Sequence, residues 1–285
     1  MVKGGKSGMS SAVVKRPKVT VVVPAMNEAE NLPFVAARFP ELWIDEVVLV
    51  DGNSTDATVE VARQLWPDVK VVQQTRKGKG NALACGFEAA TGDIIVMIDA
   101  DCSTDPAEIP AFVGALLAGA DYAKGSRFCL GGGSADITPW RRFGNLGLNA
   151  LANTVFKSGF SDLCYGYNAF WRHCLPVMQL PDTAATVAQW GDGFEIETLI
   201  NTRIARSGLK ITEVASFEEE RRFGTSNLSA TRDGLRVLRT IVDEKRNHAA
   251  PAGVVAALAL ERQGISIGGE HSAADESYVS SGARQ

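Results

Sequence analysis

Four apolar runs alternating with helix-like stretches constrain this chain more than any other feature. VTVVVP begins at Val19, VVLVD at Val47, VKVVQQ at Val69 and IIVMIDAD at Ile94. Pro24, Asp51 and Asp99 fall where the first, second and fourth runs stop. Between the runs lie a stretch from Glu30 to Pro40, DATVEVARQLW with Val59, Ala62 and Trp66 at helical spacing, and KGKGNALACGFEAA. Strands alternating with helices imply parallel pairing through right-handed crossovers. Unbroken apolar strands imply helices on both faces of the sheet. The fold class is therefore α/β, a mostly parallel central sheet flanked by helices. Ligands of such sheets bind beyond the carboxyl ends of the strands.

A length of 285 residues with 45% hydrophobic content supports one large core. The net charge of −4 argues against a nucleic-acid partner, which would want a basic surface. Five cysteines contain no C-x-x-C pair, and the three histidines are scattered. Reduced thiols and a cytoplasmic setting fit this better than disulfides or structural zinc. The basic start (Lys3, Lys6, Lys15, Arg16, Lys18) lacks the apolar segment of a signal peptide, and APAGVVAALALE from Ala250 is too short to span a bilayer. Residues 1–17 read as a flexible arm and 247–285 as a largely disordered tail. The domain between them, 18–246, divides into 18–119, a nucleotide-binding half, and 120–246, an acceptor half. AKGSRF reads as a fifth strand, 141–160 as an amphipathic helix, DLCYGYNAFWR as an acceptor-side strand, GFEIETLINTRIARSG as a helix, LKITEVASF as a strand before a basic loop, and 229–246 as a last helix.

Several stretches carry two readings. Asp99 and Asp101 repel each other unless a cation sits beside them, which suits a divalent ion and a diphosphate; alternatively they form a solvated turn, with Asp105 capping the next helix. Pro24, Ala25 and Glu28 in PAMNE, and Asp51 in DGNSTD, either hold a base and ribose or simply build capped turns. TRKGKGNAL lacks P-loop spacing, yet it sets Arg76, Lys77 and Lys79 beside glycines at a helix start, where an anion can bind. Arg127, Arg141, Arg142, Arg221 and Arg222 stand in separate loops, as a phosphate clamp or as solvated charge. Asp192, Glu195 and Glu197 offer carboxylates for general-base work, or they cap a helix.

In this order VPAMNE, DGNSTD, RKGKGNA, DAD and GSR resemble the family 2 glycosyltransferases of the GT-A fold. PWRRFGN, DLCYGYNAF and RRFGTSNL are similar to the dolichyl-phosphate mannosyltransferase-like branch, which acts on polyprenyl phosphates. The resemblance spans about residues 18–245. It implies an inverting transfer of a hexose from a GDP- or UDP-linked donor, with Mg²⁺ or Mn²⁺. It assigns Pro24, Ala25, Glu28 and Asp51 to the nucleoside, with Lys79 nearby. It assigns Asp99 and Asp101 to ribose, metal and diphosphate, with Ser103 in the place of a third metal ligand. Arg127, Arg141 and Arg221 would contact phosphates. Asn227 stands where the family commonly has lysine.

A polyprenyl phosphate acceptor implies peripheral contact with the inner membrane face. Leu235, Leu238, Ile241 and Val242 lie on one face of the last helix, with Arg232, Arg236 and Arg239 on another. Packing of that apolar face into the core is the favoured reading. A transferase acting on a soluble hydroxyl acceptor, and a non-catalytic nucleotide-sugar-binding protein, are the alternatives. The sequence sets no oligomeric state.

Overall fold

The structure, a computed structural model, describes residues 16–225 and 229–246. The arm up to residue 15, Asn227, the apolar stretch from Ala250 and the rest of the tail lie outside the described residues.

Seven strands form one sheet: β1 (Val19–Ala25), β2 (Glu46–Asp51), β3 (Lys70–Gln73), β4 (Ile94–Met97), β5 (Tyr122–Ser126), β7 (Asn168–Trp171) and β8 (Ile211–Ala215). Two short strands, β6 (Gly133–Ser134) and β9 (Phe217–Glu218), pair separately. The order across the large sheet is β3-β2-β1-β4-β7-β5-β8. Pairing is parallel except at β7, which runs antiparallel to β4 and β5. The sheet is thus mostly parallel, as expected, with β7 as its one reversed strand among the described residues. NAFW, read as an acceptor-side strand, lies inside the sheet between the two halves.

Helices cover both faces because successive strand residues point to opposite sides. Val19, Val21 and Val23 of β1 pack with α1 (Leu32–Ala36), α2 (Thr58–Leu65) and α4 (Ile109–Leu117). Val22, on the other face, joins residues of α3 (Lys79–Ala89), α6 (Leu175–Met178) and α7 (Ile196–Arg206). α1 is shorter than the sequence pattern suggests, ending well before Pro40. α5 (Pro139–Phe156) and α8 (Ala230–Arg246) close a third cluster through Ala152, Phe160, Leu163, Val237 and Ile241. On α8, Ile241 is buried, whereas Leu235, Leu238 and Val242 are exposed. Core packing thus takes only part of the apolar face expected to supply it.

Phe170 of β7 ties the halves together. Its ring meets Phe87 of α3 edge-on at 5.2 Å and stacks on Tyr122 of β5 at 6.0 Å. Such rings contribute through buried area and through pair geometry. Phe170→Ala is expected to cost about 3–5 kcal/mol of unfolding free energy, read from urea denaturation.

Candidate active site

The carboxyl ends of β2, β1 and β4 lie side by side, with Ala25 opposite Asp51 and Val22 opposite Met97. The loops leaving these ends form a rim. Asp51 is buried, and its Oδ1 accepts the Ser54 N–H at 3.1 Å. The Ala25 carbonyl accepts from the Gly52 N–H at 2.7 Å, so Pro24 and Ala25 brace the rim floor. Beyond β4, Cys102 takes a positive φ of 68° between Asp101 and Ser103, a turn that non-glycine residues adopt at a cost.

Two cations gather the rim acids. Lys79, the first residue of α3, places Nζ 2.7 Å from Asp99 Oδ1 and 2.7 Å from Glu197 Oε1. Burial works against its charge, yet the two carboxylates hold its pKa above the usual lysine value. Burial also pushes the Glu197 carboxyl up, with Lys79 opposing. Arg221, in the loop after β9, reaches Asp101 Oδ2 at 3.0 Å and Glu28 Oε1 at 2.9 Å. Burial raises the Glu28 carboxyl despite Arg221 and the Asn31 amide, which donates to Oε2 at 2.6 Å. Asn31 also accepts the Phe223 N–H and donates to the Phe223 carbonyl, pinning the arginine loop. Gly166 packs flat on the lysine: a Cβ there would sit 2.4 Å from Glu197 Oε1 and 3.0 Å from Lys79 Nζ.

Asp99, Asp101, Glu28, Lys79 and Arg221 therefore converge as one charged group. Mg²⁺ and Mn²⁺ take hard oxygens, and Mg²⁺ is often held by one or two carboxylates, with phosphates and water completing the shell. Asp99 and Asp101, with side chains 28% and 18% exposed, fit that donor set. Among the described residues, no group of three or more His, Cys, Asp or Glu side chains is arranged around a metal position. Ser103, the third candidate ligand, orients Asp101: its N–H and Oγ both donate to Asp101 Oδ1, at 3.0 and 2.6 Å.

Arg127, Asp192, Arg76, Glu195 and Arg141 each have partners of their own within the fold. Arg127 is buried between Asp162 and Glu218, with Nε 2.6 Å from Asp162 Oδ2 and Nη1 3.0 Å from Glu218 Oε2. These carboxylates occupy its guanidinium, so it braces β5 and is not presented to a phosphate. Asp192 accepts two bonds from Arg76, at 2.9 and 2.7 Å, and its carbonyl accepts the Gly80 N–H at 2.8 Å. The pair fastens the glycine loop before α3 to the loop before α7, so Asp192 and Arg76 engage each other here. Gly78 serves the same junction: its φ is +133°, and a Cβ would meet the Asp192 carbonyl at 2.1 Å. Glu195 accepts the Gly191 and Gly193 N–H groups at 3.0 and 3.3 Å and shapes that loop. Arg141 pairs with Asp136 at 2.7 Å on the first turn of α5.

Asp162 and Glu218 escaped sequence reasoning, since neither a single acid between turns nor the first of three consecutive glutamates carries a periodic signal. Glu197 stood among the candidate bases but is the lysine's partner.

The profile of Glycosyl transferase family 2 matches residues 20–175. The polyprenol monophosphomannose synthase of Mycolicibacterium smegmatis is 34% identical over 242 residues, covering 79% of this chain and 86% of that protein. The dolichol-phosphate mannosyltransferase of Pyrococcus furiosus is 40% identical over 122 residues, covering 40% of this chain and 34% of that protein. A crystal structure of glucosyl-3-phosphoglycerate synthase from Mycobacterium tuberculosis, in complex with Mn²⁺, UDP-glucose and phosphoglyceric acid, superposes with a TM-score of 0.59. It is 24% identical, covers 89% of this chain and 82% of that one, and shows the same fold.

Arg127→Ala strands two buried carboxylates and is expected to cost about 3–5 kcal/mol in urea unfolding at neutral pH. Burial alone would raise the Asp162 carboxyl, but Arg127 holds it below its usual value. The stability from that pair is complete above the ordinary carboxylate pKa of about 3.9 and is lost as pH falls through the lowered value. Without Arg127 the stranded acid protonates readily, so the variant's deficit should shrink between about pH 5 and pH 3.

Proposed function

Because this chain belongs to glycosyl transferase family 2, we propose that it moves a hexose from a GDP- or UDP-linked donor to a polyprenyl phosphate, with inversion at the anomeric carbon. The convergence of Asp99, Asp101 and Glu28 on Lys79 and Arg221 at the strand ends carries this reading. The extent of its likeness to the mycobacterial polyprenol monophosphomannose synthase supports the acceptor class. Residues 18–119 supply the donor half and 120–246 the acceptor half.

Asp51 and Glu28 bind the nucleoside, on a floor of Pro24 and Ala25. Asp99 and Asp101 hold Mg²⁺ or Mn²⁺, which when bound supplies positive charge to the diphosphate. Lys79 and Arg221 add fixed positive charge where negative charge grows as the diphosphate departs. A phosphate acceptor is already an anion at neutral pH and needs no strong base. The engagement of Asp192 with Arg76, and of Glu195 with two backbone N–H groups, favours such an acceptor over a hydroxyl.

A lipid acceptor calls for contact with a bilayer. No helix among the described residues is long and apolar enough to cross one. α5 instead exposes Trp140 (76%), Phe143 (72%) and Leu146 (52%) on its outer side. Arg141 and Arg142 lie in the same turns. Aromatic rings flanked by arginine suit the surface of an anionic membrane.

Asp101→Asn is expected to lower divalent-dependent transfer by about 10²-fold or more, measured as labelled hexose entering organic-soluble polyprenyl phosphate from GDP- and UDP-donors. Undiminished turnover would remove the metal assignment, and label appearing only on soluble hydroxyl acceptors would remove the lipid one. Replacing Trp140 and Phe143 together with serine should weaken co-sedimentation with phosphatidylglycerol vesicles by about tenfold. Equal sedimentation of the variant would rule out α5 as the contact.

A further inference from the structure

Glu197 is costly where it stands. It lies in the first turn of α7, 8% exposed, on a helix already anchored by Ile196, Ile200 and Ile204. A buried ion pair is seldom better for stability than apolar side chains of similar size. Packing therefore does not explain a carboxylate here. Its direct partner is Lys79, whose Nζ it shares with Asp99 at equal distances of 2.7 Å. Gly166 leaves no slack on that side of the pair. Lys124, fully buried, acts only weakly on the Glu197 carboxyl, and its Nζ donates to the carbonyls of Gly125 and Tyr165, each at 2.8 Å. Lys79 therefore stands between one carboxylate on the donor rim and one carboxylate on a helix of the other half.

We propose that Glu197 is a positioning residue that shares Lys79 with Asp99 and so sets the charge of the donor rim. Two carboxylates and one ammonium leave a single net negative charge. With a neutral residue at 197, Lys79 would belong to Asp99 alone and cancel it, and the rim would attract a divalent cation less. This deepens the reading of the preceding section and rests on it.

The test is Glu197→Gln, with Mn²⁺ binding followed by the electron paramagnetic resonance signal of the free ion, without nucleotide. The dissociation constant for Mn²⁺ should rise at least about threefold, because one negative charge near the site is lost. In steady-state transfer kcat should fall about tenfold or more while the donor KM moves less than about threefold. The double variant Lys79→Met/Glu197→Gln leaves Asp99 with its own charge. Its Mn²⁺ affinity should return to within about twofold of wild type while kcat stays low. Should the single variant fail to fold, the double variant decides by the same criterion. Wild-type affinity and kcat in Glu197→Gln, or a double variant that binds Mn²⁺ more than about threefold more weakly than wild type, overturns the proposal. Wild-type protein that neither binds Mn²⁺ nor transfers hexose overturns the family-based reading of this site together with it.

Discussion

Acids gathered at the end of a sheet repel one another, and the architecture of this protein follows from how that repulsion is answered. Asp99, Asp101 and Glu28 leave neighbouring strands, so they arrive together once the sheet forms. Their counter-charges come from elsewhere: Lys79 from the start of α3 and Arg221 from the loop after β9. The rim is thus assembled from distant parts of the chain, and it exists only when both halves are folded around it.

The same logic separates the arginines. By sequence, Arg127 and Arg221 look alike, each in a loop near glycine and serine. In the fold Arg127 is enclosed by Asp162 and Glu218. Arg221, in contrast, bridges Glu28 and Asp101 with its side chain 23% exposed, and its Nε is buried without a hydrogen-bond partner. Which arginine faces a ligand depends on which acids the fold brings near it, and those acids lie 35 to 193 positions away. No local pattern reports such pairings.

What was legible follows from the same physics. β1, β2 and β4 are buried on both faces, so their sequences are nearly unbroken apolar runs, and the acids that end them stand out. The order of motifs then indicated the family. The reversed β7 was not legible, because a strand's direction depends on its neighbours and leaves no trace in its composition. Nor was the division of labour among Asp192, Glu195 and Glu197. All three sit in one short acidic stretch, yet one locks Arg76, one shapes its own loop and one holds Lys79. Side-chain direction over a few residues decides this, and only the folded backbone sets it.

The reversed strand also bears on how the molecule is made. β4 receives its second neighbour from residues 168–171, long after β1, β2 and β3 have been synthesised. Until then a nascent chain presents Ile94–Met97 as an open, uncharged edge, the kind of template on which other chains can pair. Completing the sheet means inserting a late segment between two earlier ones, which ties up a long stretch of polypeptide before any contact repays it. During synthesis the edge of β4 therefore stays open until NAFW is available to pair with it, and that of β5 until Ile211–Ala215 follows.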